Sequence, residues 1–595
     1  MDSQTTGAEN VHWDLTHLYL SESDLRKDLI DVTSDAERFN KSWRGRVASL
    51  EVIQMKEAIT EYELIQERVG RAMTYAYLSW VTATDDPVRG ALLQHVRELS
   101  TQISKNLLFF GLEWMRVDDD QARVLMEGDE LAGYRHFLEC ERLLKDYTLS
   151  EAEEKILAET QVTGRSAWMR YFTETTSRMR FTLRGEVLPQ EHLLTKLHAH
   201  DRELRKEAAN SFSIGLASNE HTLTYIFNTL LADKAANDRM RGLPHWLKSR
   251  NLGNEIADET AEALVQAVVS RYDLVARFYE LKAKILGLNP LYDYDRYAPV
   301  GESDTHYSWS DARYITLESY RGFHPLLADV AERFFEEKWI DAPVQAGKQG
   351  GAFSHGSVPS VHPYVLLNYT GRARDVQTLA HELGHGVHQF LSREQGYLQA
   401  STPLTTAETA SVFGEMLTFQ RLLAEEPNPR NVLTLLVSKI DDTMATVFRQ
   451  VTMNRFEHAI HTARREEGEL SSDKFAEYWL STQSAMFGNS VVLTEQYRSW
   501  WSYIPHFLHT PGYVYAYAFG ELLVLALYKR YIESPDEFPD QYIELMRAGG
   551  SDWPHILVGR LGVDLQDPVF WHKGLSEVEA LIERAEACYA ASCLD

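Results

Sequence analysis

The chain runs to 595 residues, with 60 Lys and Arg against 87 Asp and Glu, for a formal charge of −27. That length can bury one large core or several, and the acidity argues against non-specific attraction to nucleic acid or to an anionic membrane surface. Three cysteines (Cys140, Cys588 and Cys593) are too few for a disulfide framework, the opening MDSQTTGAENVHWDL has neither a basic start nor an apolar run, and the strongest apolar stretch, Leu522 to Leu527, is far too short to span a bilayer; the expected setting is a reducing cytoplasm.

Helical periodicity with few Pro or Gly covers 22–47, 50–81, 87–116, 150–170, 190–237, 257–286, 309–337, 431–464 and 514–532. Strand signals are sparse. The run Arg180 to Val187 alternates and turns at Gly185, which predicts a small hairpin and suggests a boundary between an N-terminal helical region, 1–185, and a catalytic region, 186–595. A second strand is predicted over Pro363 to Thr370. Before it, Gly347, Gly350 and Gly351 lack the order of a phosphate loop or a dinucleotide fingerprint. They mark either a loop approaching a substrate backbone or an ordinary turn. The chain therefore reads as mainly α, with a small sheet.

The most informative stretch is His381-Glu382-Leu383-Gly384-His385. Val376, Leu379, Ala380, Leu383, Val387 and Phe390 set a helical period around it, so the imidazoles at i and i+4 project from one face and can share one metal ion. Glu382 lies beside that face, placed to touch a water at the metal without being a ligand. Asp375 precedes the apolar period and reads as the N-cap. The bland alternative is a surface histidine pair. Gly384 and Gly386 argue against it, because each costs a helix roughly 1 kcal/mol relative to Ala, a cost that makes sense where another backbone or a substrate comes very close.

Two histidines leave a zinc shell half filled. A third His six residues beyond His385 would complete it, but Leu391 stands there, with His388 where that pattern has Gly. The other source is a glutamate from a second helix, and 405–416 offers two. Glu408 lies 27 residues after His381, enough for a loop between helices, and is the favoured ligand. Glu415 shares its face seven residues on and can orient a ligand histidine from behind; Asp375 is the other candidate for such support. Thr405-x-x-Glu408 also fits a helix-capping box, which would make Glu408 structural.

The strand 363–370 sits where a zinc peptidase has an edge strand along which an extended peptide pairs; a buried strand of a small sheet fits its apolar content equally. Candidate substrate contacts are Gly350, Gly351, Ala352 and Phe353 in the loop and Tyr364 in the strand. Further on, the aromatic run from Tyr497 to Phe507 and then Tyr513, Tyr515 and Tyr517 reads first as core packing, with Tyr513 and Tyr517 on one helical face and Tyr515 on another. His355, His362, His388 and His509 read as satisfied polar groups.

The segments GKQGGAF (347–353), PYVLLNYTG (363–371), DVQTLAHELGHGVH (375–388) and ETASVFGE (408–415) resemble the thimet oligopeptidase/oligoendopeptidase F family of zinc metallopeptidases. WDLTHLY (13–19) and IPHF (504–507) followed by YVYAYAFG (513–520) fit the oligoendopeptidase F branch. The resemblance implies an almost all-helical, clam-like body around a deep substrate channel. It places one Zn2+ on His381, His385 and Glu408, with hydrolysis of internal bonds in short oligopeptides. It also implies that His506, with Tyr517 first and Tyr513 second, hydrogen-bonds the substrate carbonyl or the developing oxyanion. Ser354 departs from the pattern, which has a cysteine after GAF. Two rivals stand beside this reading. One is a zinc exopeptidase, although no G-x-M-E-N segment is present to anchor a terminal amine; the other is a non-catalytic helical peptide-binding protein.

Overall fold

Local chemistry sets where the helices begin and break. Ser21 accepts the N–H of Asp24 and opens the helix Glu22–Trp43, whose buried Leu25, Leu29, Val32, Ala36 and Phe39 recur at three- and four-residue spacing. Asp86 does the same for Pro87–Leu107, with proline in the first turn. The periodic stretch 309–337 is two helices, Trp309–Phe323 and Pro325–Glu336. Pro325 forces His324 into an extended conformation (φ −154°, ψ 128°), and the His324 ring caps the second helix by accepting the N–H of Leu326. The stretch 431–464 is likewise interrupted, by one wide π turn at Met444–Phe448 between Pro429–Thr443 and Arg449–Glu466. The computed structural model describes residues 5–301 and 305–592, and they are mainly α-helical.

Among the described residues there are five short strands: β1 (Arg180–Leu183), β2 (Glu186–Pro189), β3 (Ile340–Asp341), β4 (Phe353–His355) and β5 (Tyr364–Leu366). β1 and β2 pair as the expected antiparallel hairpin. β5 lies in the middle of a three-stranded sheet, parallel to β3 on one side and antiparallel to β4 on the other. The expected strand over 363–370 is thus shorter and central, and the edge position belongs to β4. β3 and β4 take up the backbone groups of β5 on both sides, and its three side chains are fully buried.

Packing divides the chain into two units, each built from three separate stretches. The first comprises Met1–Asp146, Asp304–Glu425 and Arg530–Asp564; the second comprises Tyr147–Ser303, Glu426–Lys529 and Leu565–Asp595. In the first, Phe39, Phe110 and Trp114 anchor one cluster, and Tyr364 from β5 joins Leu25, Ala72 and Leu93 in another. In the second, Phe181 and Leu183 of β1 pack with Phe212, Phe227, Phe456, Trp479 and Trp501. The hairpin at 180–189 is therefore internal to a core, and the compact units do not follow a cut at residue 185. No helix among the described residues is long and apolar enough to cross a membrane. Cys140 and Cys588 are not joined in a disulfide; Cys593 lies outside the described residues.

Candidate metal centre

The helix Ala373–Ser392 begins with Arg372 as its cap, so Asp375 sits in the first turn rather than at the N-cap position expected for it. Its carboxylate accepts the Thr370 N–H at 2.9 Å, the Arg372 N–H at 3.1 Å and the Thr370 hydroxyl. Those bonds secure the helix start, where a negative charge also suits the dipole; its support is given there and not to a ligand. Val376, Leu379, Ala380, Leu383 and Val387 are buried on one side of this helix, while His381 and His385 stay partly open on another.

The second element is the helix Thr409–Glu425, and the two glycines explain how closely it approaches. A Cβ on Gly384 would run into the carbonyl of Ala410 and come within 2.6 Å of Ser411 Cα; one on Gly386 would meet the Phe334 ring at 2.5 Å. Backbone-to-backbone contact of this kind is possible only without a side chain. It brings Glu408, the residue just before the second helix, up to the histidines. The capping-box alternative for Glu408 does not hold, because the short helix Leu404–Ala407 starts after Pro403 without a side-chain cap and Glu408 is its last flank.

Glu408 Oε2 lies 3.4 Å from His381 Nε2 and 3.3 Å from His385 Nε2, and one donor atom from each residue falls within 4.8 Å of the others. Ligands about 2.0 Å from a tetrahedral zinc ion stand roughly 3.3 Å apart; two nitrogens and a carboxylate oxygen at these separations fit such an ion. Behind them, Glu415 Oε2 is 3.1 Å from His381 Nδ1, which turns Nε2 inward. The Ser411 hydroxyl donates to Glu408 Oε2 at 2.7 Å. Burial works against charge on His381, yet its bonds to Glu408 and Glu415 outweigh that and push its pKa up to about 10. Burial likewise opposes the Glu408 anion, but the two imidazoles hold the carboxyl far below its usual range.

Glu382 is 8% exposed, and burial raises its pKa; charge on His381 and His385 and the backbone N–H of Ser354, from β4, offset part of the shift. A carboxyl poised upward in this way suits a group that takes and returns a proton. Tyr320, fully buried, donates to the Ala380 carbonyl of the same helix and lies against Gly414 of the second helix.

The other candidates separate. Tyr364 is fully buried, its hydroxyl donating to the Asp14 carbonyl at 3.1 Å and its ring edge-on to Trp13, so it belongs to the core and not to a substrate surface. Gly350 and Gly351 are exposed, and Gly351 (φ +83°) accepts the Asn368 side-chain amide; Ala352 and Phe353 are half-buried and lead into β4. His506, Tyr513 and Tyr517 belong to the second unit and cluster there. The Tyr517 hydroxyl is 3.4 Å from His506 Nε2, and the Tyr513 and Tyr517 rings meet edge-on at 4.9 Å. Burial, then His509 and Arg449, lowers the His506 pKa. Tyr515 points elsewhere, buried on Asn251 and Asn254. Sequence reasoning gave no role to Ser411 or Tyr320. Ser411 had a signal, three residues after Glu408 and so on its side of the helix; Tyr320 had none.

Residues 195–577 match the sequence profile of peptidase family M3, and residues 113–181 that of oligopeptidase F. Group B oligopeptidase PepB of Streptococcus agalactiae is 27% identical over 95% of this chain and 94% of its own length. An oligoendopeptidase F homolog of Borreliella burgdorferi is 28% identical over 94% of each chain. A crystal structure from Chlamydophila abortus superposes with a TM-score of 0.87, at 24% identity, over 97% of this chain and 98% of the other.

Proposed function

Because this chain belongs to peptidase family M3, in its oligoendopeptidase F branch, and so is a peptidase, we propose that it is a zinc-dependent endopeptidase cutting internal bonds of short oligopeptides. The observation that carries this reading is the convergence of His381, His385 and Glu408 with a raised-pKa Glu382 beside them. When bound, zinc supplies Lewis acidity, which polarises a carbonyl oxygen and acidifies a neighbouring water. Glu415 fixes the His381 ring, and Ser411 holds the Glu408 carboxylate. Glu382 takes the proton from the attacking water and delivers it to the departing amine nitrogen. On family resemblance, His506 and Tyr517, with Tyr513 second, donate to the substrate carbonyl; losing one such donor costs about 10²–10³ in turnover. The low cysteine count, three in 595 residues, favours the cytoplasm as its location.

The test is Glu382→Gln in the full chain. Metal content by plasma emission should match the wild type, while hydrolysis of an end-blocked quenched peptide should fall about 10²–10⁴-fold. Unchanged hydrolysis removes Glu382 from the reaction. Cleavage confined to peptides with free ends transfers the chain to the exopeptidases.

A further inference from the structure

A cavity of about 490 Å3 opens beside the metal centre, wholly within the first unit, a size typical of small-ligand pockets. One wall is the ligand helix, from His385 to Gln389 one turn on, with Arg393 just past its end; the other is β4 and the turn after it, with His355 and Ser357. Among the described residues no Asp or Glu lines this cavity, in a chain that carries 87 of them.

Several of its polar side chains offer donors that lack acceptors. Arg393 stacks on the Phe390 ring at 3.6 Å, but among the described residues its guanidinium has no hydrogen bond and no carboxylate within ion-pair distance; burial and the neighbouring Arg333 disfavour its charge, against a weaker favourable effect of Glu394. The Gln389 carbonyl oxygen is occupied by the Ser354 hydroxyl at 2.8 Å, which leaves the amide N–H groups unspent. His355 Nδ1 accepts the Ser357 N–H at 3.0 Å, which puts the ring proton on Nε2 as a further donor. The Ser357 hydroxyl is buried without any partner, on a residue held at φ +58°. Unpaired buried donors and one uncompensated cation are unfavourable alone and favourable around an anion.

We propose that this cavity is the subsite for a carboxylate of the substrate, either a Glu or Asp side chain or the α-carboxylate of the peptide, with Arg393 as the cation that receives it. The inference rests on the peptidase reading and adds the substrate class. Eight residues of helix separate His385 from Arg393, about 12 Å at 1.5 Å per residue. An extended peptide advances about 3.3 Å per residue, so the recognised carboxylate lies within about four residues of the cleaved bond.

The experiment compares peptides that differ only in Glu against Gln at each position within four residues of the cut, and in a free against an amidated C-terminus. Cleavage is measured as kcat/KM, and binding by calorimetry to the full-length Glu382→Gln protein, which holds peptide without cutting it. The wild type should favour one acid over its amide at least about tenfold, and which arm shows the preference identifies side chain or terminus. Arg393→Gln should abolish the preference by lowering kcat/KM for the acid peptide at least about tenfold more than for its amide, and Arg393→Lys should restore part of it. Gln389→Glu keeps the acceptor for Ser354 but places an anion in the wall, so it should reverse the preference even if Arg393 variants fold poorly. Equal use of acid and amide everywhere, or a preference that survives Arg393→Gln, overturns the proposal. Absence of any cleavage overturns the peptidase reading instead, and the calorimetric pairs still decide this one.

Discussion

Glu408 in the first unit and Glu457 in the second are both acids facing a buried interior, and they stand at opposite ends of the acid scale. Glu408 keeps 37% of its side chain exposed and meets two imidazoles, which hold it ionised against the cost of burial. Glu457 is fully buried; one carboxyl oxygen accepts the Gly512 N–H at 2.8 Å, and the other has no partner. Burial pushes its pKa up to about 8, with Arg250 and Lys234 offsetting only part, so at neutral pH it holds its proton. A carboxyl inside a helical protein is thus no sign of a metal site by itself. What distinguishes Glu408 is that basic nitrogens from another helix converge on the same oxygen.

That contrast can be broken at four places. Glu408→Ala should have the largest effect, lowering zinc affinity on the order of a thousandfold, about 4 kcal/mol, as expected for one of three protein ligands. Competition with a chelator measures it, and undiminished affinity would hand the ligand role to Glu415 or elsewhere. Gly384→Ala should cost about 3 kcal/mol or more in chemical denaturation, because its Cβ meets the Ala410 carbonyl and Ser411 Cα; a neutral result would mean that the helices are not in backbone contact. Glu415→Gln should weaken zinc binding 10–100-fold by freeing the His381 ring, with the fold intact by circular dichroism. Glu457→Gln should show the smallest effect and the opposite sign. The folded-state pKa of Glu457 lies above its ordinary 4.5, so between pH 4.5 and 8 the folded chain keeps a proton that the unfolded chain releases. Wild-type stability therefore falls across that window. The Gln variant should lack that component and be more stable than wild type by about 1–2 kcal/mol at pH 8, read from melting curves across pH.

The parts of this molecule legible in its sequence are those encoded by short-range spacing. His381 and His385 share a face because of the helical period alone, and Glu408 was reachable by counting the residues that a loop and helix start require. The glycines at 384 and 386 announced a close approach, and Ala410, Ser411 and Phe334 are what approaches. Other features depend on partners distant in sequence. β5 is central and not at the edge because Ile340 and Phe353 flank it, pairings that no local pattern reveals. Asp375 was misplaced by one turn since an N-cap and a first-turn carboxylate look alike before the helix start is known. Tyr364 is a core residue through Trp13 and Asp14, some 350 positions away. The hairpin at 180–189 looked like a boundary because turns resemble linkers, yet Phe181 is part of a core whose other members extend to Leu508.

The weaving of the chain through its two units carries a consequence for biosynthesis. The first unit is not complete until residues 530–564 have been made, and the second not until 565 onward. Neither can mature while most of the polypeptide is still on the ribosome, so apolar faces such as that of the ligand helix wait exposed for partners translated later. Nascent chains halted near residue 500 should be digested by a protease that spares the released protein.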